Sequence, residues 1–182
     1  KTFSSTDNAF LFSYARQMGP KELTVGGNVK IVYRNVGDFA NAIGFGLDLA
    51  AQYHKEKLKL GVVLRDITGT WNAWSFNNEE LEDVFIATGN DVPTNSLEIT
   101  APRAILAAGY EYKINEKFGI YPEVDLAVTF DGKRNVLIGT SFMSIDPKVG
   151  FEANYRNMIF LRGGLGGFQK ETEIGGETKW SM

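Results

Sequence analysis

IGFGLDLAAQYHKEKLKLGVVLR, residues 43–65, carries one alternating pattern twice, in opposite directions around a short polar turn. Ile43, Phe45, Leu47, Leu49, Ala51 and Tyr53 share one parity, while Gly44, Gly46, Asp48, Ala50, Gln52 and His54 share the other. Successive side chains of a strand point to opposite faces, so this stretch has one apolar face and one small or polar face. After residues 55–57, Leu58, Leu60, Val62 and Leu64 alternate with Lys59, Gly61, Val63 and Arg65. The pattern predicts an antiparallel hairpin with strands of about ten residues, longer than the roughly five or six usual in soluble sheets. That length is close to the roughly nine to eleven residues with which a tilted strand crosses a bilayer. Long strands with one greasy and one polar face are the signature of a transmembrane β-barrel.

Composition bounds the alternatives. The chain has 182 residues, one domain's worth over 1–182, and 43% of them are apolar. No run approaches the ~18 consecutive apolar residues of a membrane-crossing helix, so a membrane role requires a barrel or the membrane surface. There is no cysteine, which excludes disulfides, thiolate metal sites and a cysteine nucleophile. The single histidine, His54, sits beside a turn, which leaves a histidine-rich metal site or a Ser-His-Asp triad little to build on. A net charge of −3 with dispersed lysines and arginines gives no reason to expect nucleic acid. No metal, cofactor or catalytic residue is expected.

Outward from the hairpin, the alternation predicts further strands at 9–17, 23–34, 101–113, 118–130, 143–155 and 159–168, with a stub at the end of the chain. Residues 69–98 are the longest interruption. Asn77 with Glu80 three residues on resembles a capping box, Leu81, Val84, Phe85 and Thr88 fall on one helical face, and Gly89 is a stop. A short helix in that loop is therefore expected. The connections alternate in length: 1–7, 35–42, 69–98, 131–142 and 169–177 read as long, and 18–22, 55–57, 114–117 and 156–158 as short. Outer-membrane barrels have short periplasmic turns and long extracellular loops. Both ends of the chain fall on the long-loop side, so the expectation is a fragment with strands missing at both ends.

The polar parity collects Lys30, Arg34, Asp48, Arg65, Arg103, Glu111, Glu123, Asp125, Lys148, Glu152 and Arg162, the candidate lumen-facing charges. Both signs are present, so they can neutralise one another across an enclosed space. The alternative is a conduit that selects a charged solute, which would more naturally show one sign. Glu123 and Asp125 are a carboxylate pair by sequence, but same-face strand neighbours are ordinary, and no enzyme is expected. Pro102, Pro122 and Pro147 fall in or near three consecutive strands, where each lacks a ladder donor. Strand-end or bulge placement accounts for them; alternatively, Pro122 marks a kink or gap in the wall through which a ligand or partner segment passes. Trp71, Trp74 and Trp180, with Tyr33 and Tyr155, suit membrane-interface girdles or a binding patch on the loops.

At GNVKIVYRNVGDFA, FGLDLAAQYHKEKLKLGVVLRDITGTWNAWSFN, NSLEITAPR and FDGKRNVLIG the chain resembles the PorV/PorQ-type outer-membrane proteins. These are relatives of the FadL-like fatty-acid transport barrels, from bacteria that use type IX secretion. The resemblance spans essentially the whole chain, in strand texture and loop phrases, and carries no catalytic signature. It implies an all-β, antiparallel transmembrane barrel of about fourteen strands. It also implies an outer-membrane location, lipid contact, and a role beside secretion-machinery proteins or secreted cargo. The alternative is a FadL-like channel that admits a hydrophobic small molecule. No residue here matches a cargo or translocon contact.

Overall fold

The computed structural model describes residues 4–19, 22–77, 82, 85–89, 95–172 and 178–181. Among these the chain runs through β1 (Ser5–Met18), β2 (Leu23–Val36), β3 (Ala40–Lys55), β4 (Leu58–Arg65), β5 (Thr70–Phe76), β6 (Ser96–Thr100) and β7 (Arg103–Tyr110). It continues through β8 (Tyr112–Lys113), β9 (Phe118–Thr129), β10 (Ile138–Gly139), β11 (Ser144–Tyr155), β12 (Ile159–Leu165), β13 (Gln169–Thr172) and β14 (Thr178–Ser181). The pairing is that of an antiparallel meander: β1-β2-β3-β4-β7-β9-β11, with β10 and β12 both on β11 and a separate β13-β14 hairpin. The chain is therefore all-β, as the alternation predicts. No pair among the described residues joins the two ends of this path. A helical turn at residues 85–88 ends at Gly89, whose φ of 69° suits glycine at a helix stop. The proposed cap at Glu80 and the positions Leu81 and Val84 lie outside the described residues.

Two compact units make up the chain. The first comprises Lys1–Tyr14, Gly27–Asp48 and Asp66–Thr100. In it the leading half of β3 pairs with β5, from Ala40 opposite Phe76 to Phe45 opposite Trp71, and β5 pairs with β6. Ala40, Ala42, Gly44, Gly46 and Asp48 are buried, while Ile43 and Phe45 between them are 62% and 47% exposed. β2 behaves alike: Val29, Ile31 and Tyr33 are exposed, and Lys30, Val32 and Arg34 are sheltered.

The second unit comprises Ala15–Gly26, Leu49–Arg65 and Ala101–Met182. Its register lines residues into rows across six strands. Tyr53, Leu60, Ala108, Val124, Val149 and Leu165 form one row, each opposite the next. Leu60, Val124, Val149 and Leu165 are 40%, 47%, 47% and 58% exposed. The adjacent row on the other face, Gln52, Gly61, Ala107, Asp125 and Lys148, is small and polar. The amphipathic pattern is thus present with its usual sense reversed, the large apolar side chains outward and, on the other face, Gly61, Ala107 and Asp125 sheltered while Gln52 and Lys148 reach solvent.

The structure corrects two readings of the connections and one of an aromatic residue. Residues 35–42 are not a long loop. β2 and β3 leave only a tight turn, with Gly37 at φ 54° and the Phe39 amide donating to Val36 O at 3.1 Å. Asn, Gly and Asp there read as loop formers, yet Ala40 and Ala42 continue the buried parity opposite Phe76 and Trp74, where a small residue faces a large one. Nor are residues 69–98 all interruption, because β5 and β6 extend the sheet into them. TWNAWSF hid its strand character by carrying aromatic residues at both parities, Trp71 outward and Trp74 sheltered. Trp74 accordingly stacks on Phe76 at 6.3 Å rather than facing out as a girdle residue.

The prolines take undemanding places. Pro102 precedes β7, and Pro147 pairs with Leu126 of β9. Pro122 faces Phe151 in an unbroken ladder to β11. Toward β7 and β8 the ladder lapses at Tyr121 and Pro122 without a change of register, since Gly109 faces Glu123 before the lapse and Tyr112 faces Ile120 after it. A missing N–H explains such a lapse by itself.

The loop after β9 is folded rather than slack. Ser144, only 2% exposed, accepts from Arg134 N at 2.8 Å and donates to Gly132 O at 2.9 Å. Ser144→Ala is expected to strand both groups at a cost of about 1–3 kcal/mol, read as faster amide exchange confined to residues 132–140. In the same loop the Arg134 guanidinium beside Asp131 holds its carboxyl below the usual range. This pairing is complete above the ordinary carboxylate pKa of about 4 and is lost as pH falls through the lower folded value.

Candidate functional site

The densest polar cluster is in the first unit, where β4 has ended and β5 has not begun. Asp66 there adopts φ 55°, a left-handed conformation that aspartate tolerates better than most residues, and Gly69 follows at φ 69°. The turn is closed by Gly69 N donating to Asp66 O at 2.7 Å and anchored by Ile67 N donating to Leu47 O at 3.0 Å. This geometry directs the Asp66 amide at Asp48 Oδ1, 2.9 Å away. Lys30 Nζ reaches the same oxygen at 3.0 Å and also pairs with Asp66 Oδ1, which accepts in addition from Thr70 Oγ1. Asp48, Asp66 and Thr70 are 7%, 7% and 5% exposed. One lysine thus stands between two shielded carboxylates, which hydrogen bonds from a backbone amide and a hydroxyl help to satisfy. Gly46 is required beside them, because a Cβ there would overlap Thr70 Oγ1 and press on Lys30 Cε.

A second cluster in this unit centres on Arg34. It pairs with Asp7 at 3.2 Å, approaches Glu98 at 3.6 Å and lies 5.4 Å from the Trp74 ring centroid. Trp74 Nε1 donates to Glu98 Oε2 at 2.8 Å, so the indole belongs to the charged face. Trp71 is on the outward face, its Nε1 donating to Thr68 O at 2.9 Å.

In the second unit, Glu123, Asp125, Lys148, Glu152 and Arg162 line one concavity of about 490 Å³ with Tyr121 and glycines 150, 163, 164 and 166. Glu152 accepts from Arg162 Nε at 2.6 Å across the β11–β12 register. Asp125 faces Lys148, and Glu123 is flanked by Gly109 and Gly150. The Tyr121 ring covers Gly109, where a Cβ would collide with it, and Lys59 Nζ is 4.6 Å from the ring centroid. Asp125 Oδ1 is shielded and makes no hydrogen bond among the described residues.

Of the eleven charges expected to share a face, Lys30 and Asp48 meet directly, Arg34 joins Asp7 and Glu98, and the five just named surround the concavity. Arg65 and Arg103 face each other across β4 and β7, an opposition of like charges with both side chains exposed. Glu111 is the residue between β7 and β8, 4.0 Å from Lys113. Asp66, Thr70, Asp7 and Glu98 join these clusters without having been singled out by strand parity. Asp66 escaped because it occupies a turn, and the spacing Asp66-Ile67-Thr68-Gly69 is the signal that could have found it. His54 is exposed at its turn, and no group of three or more metal-ligating side chains occurs among the described residues.

Comparison with protein-family models, with curated proteins and with solved structures finds no match to this chain.

Proposed function

We propose that the chain forms part of the wall of an outer-membrane β-barrel that acts as a partner-binding accessory in protein secretion or surface export, in the manner of PorV-type proteins of type IX secretion. The reversed parity carries the membrane part of this reading. Rows of Leu, Val, Ile and Phe face outward along strands of 12 to 16 residues, and ion-paired residues take the other face. A twelve-residue strand rises about 40 Å along its axis and, at the roughly 45° tilt of a barrel strand, spans about 28 Å, near the ~25 Å apolar band of such barrels. In lipid the outward rows need no partner, whereas in water they would be a large exposed patch.

The accessory role rests on the resemblance in strand texture and loop phrases. A FadL-like channel needs an apolar pocket behind a gap in the wall. The concavities here carry Lys, Arg, Asp and Glu, the larger one beside glycines and Val149, Phe151 and Leu165, and the lapse at Pro122 leaves register and the β11 ladder intact. These observations favour the accessory over the channel. Purification of the full-length protein from native membranes after mild crosslinking is expected to bring down secretion-machinery proteins or exported cargo. Recovery alone, together with uptake of long-chain fatty acid that depends on the protein, would replace this role with the channel.

A further inference from the structure

One corner of the second unit combines cations with an outward aromatic row. Phe118 is opposite Tyr155, and Tyr155 is opposite Ile159, so the three share the outward face. The Phe118 and Tyr155 ring centroids are 4.8 Å apart, and Phe118 and Ile159 are 49% and 66% exposed. Arg156 and Asn157, at φ 51° and 53°, make the tight turn that follows. The Arg156 amide donates to Lys117 O at 2.6 Å, which holds the two basic residues side by side at the strand ends. The Arg156 guanidinium carbon is 5.4 Å from the Tyr155 ring centroid, which sets this cation against the aromatic pair, and Arg156 and Lys117 also border a hollow with Glu111 and Glu116. Neither Lys117 nor Arg156 makes an ion pair among the described residues, and neither does Glu116 in the same turn.

We propose that this corner binds an anionic phospholipid, with Arg156 and Lys117 holding its phosphate and the acyl chains lying along Phe118, Tyr155 and Ile159. The inference deepens the membrane reading above and rests on it. A free phosphate would gain nothing from the apolar row, whereas a lipid engages both parts at once. Aromatic residues at the interface with cations at headgroup level are the arrangement that membrane proteins use for this purpose. By loop length this is the short-turn end of the strands, which in an outer-membrane barrel faces the periplasmic, phospholipid leaflet.

The test uses the full chain in phosphatidylcholine nanodiscs carrying a trace of spin-labelled phosphatidylglycerol or spin-labelled phosphatidylcholine, with the protein-immobilised fraction of each label measured. Wild type is expected to prefer phosphatidylglycerol roughly fivefold at low salt, with the preference fading at high salt. The double variant Lys117→Gln/Arg156→Gln should approach parity, while Lys55→Gln/Lys57→Gln at another turn should keep most of the preference. Equal selectivity in wild type and Lys117→Gln/Arg156→Gln would overturn the site. Displacement of the labelled lipid by millimolar inorganic phosphate would overturn the lipid assignment. Immobilisation of neither lipid would show that the chain does not enter the bilayer, and the membrane reading would fall together with this one.

Discussion

Lys30→Met is expected to destabilise the folded chain by about 3–5 kcal/mol, because it leaves Asp48 and Asp66 shielded with no cation between them. The side chains of Lys30, Asp48 and Asp66 are only 15%, 9% and 10% exposed, so solvent can do little to replace the lost ammonium. The backbone bond from Asp66 N and the hydroxyl bond from Thr70 remain, but they were set against two carboxylates that one positive charge held together. Urea unfolding of vesicle-reconstituted protein, followed by tryptophan fluorescence, measures the loss. The companion variant Lys30→Met/Asp48→Asn/Asp66→Asn is expected to recover most of it. Removing all the charges removes the penalty of isolating one, and asparagine tolerates the left-handed turn at position 66. A loss below about 1 kcal/mol for Lys30→Met would mean that the cluster behaves as a solvated surface pair.

Val124→Arg is the second large effect, and its size depends on what bathes the outward face. Val124 stands between Ala108 and Val149 in the middle of its row and is 47% exposed. If lipid covers that row, a cation near the midplane costs about 2–4 kcal/mol. If water covers it, an exposed substitution of this kind stays within about 0.5 kcal/mol. Glu123→Gln, one residue away on the sheltered face, is the control and should shift stability by no more than about 1 kcal/mol under either solvent. The same unfolding assay in vesicles separates the two cases.

Much of this arrangement was legible in the alternation. Ile43, Phe45, Leu60 and Val124 face outward and Asp48 is buried, as a period-two reading of each strand requires. The meeting of Lys30 with Asp48 follows from the same rule once β2 and β3 are neighbours. Legibility ended where the chain leaves strand geometry. Asp66 completes the charged cluster from a left-handed turn, where parity has no meaning. The four steps along β3 from Leu49 to Phe45 are matched by seven steps from Leu64 to Trp71, and a surplus of that kind leaves no mark in a hydrophobic pattern. β1 was hard for a different reason. Phe10, Leu11 and Phe12 are consecutive, and all are exposed along a strand with only one neighbour among the described residues. Trp74 shows the limit of reading residue type alone, since the same indole that suits a lipid interface here caps Glu98 beneath Arg34.

In the proposed arrangement lipid covers the outward rows while the charged face looks into a space that lipid does not reach. Because the chain contains no cysteine, single cysteines can be placed along β9 without background. In outer-membrane vesicles, cysteines replacing Pro122, Val124 and Leu126 should resist a membrane-impermeant maleimide and, once labelled with a membrane-permeant fluorescent maleimide, be quenched by doxyl-labelled lipid. Those replacing Tyr121, Glu123 and Asp125 should escape the lipid quencher. Quenching that does not alternate along the strand, with Val124→Cys reacting as fast with the impermeant reagent as Glu123→Cys, would contradict the account.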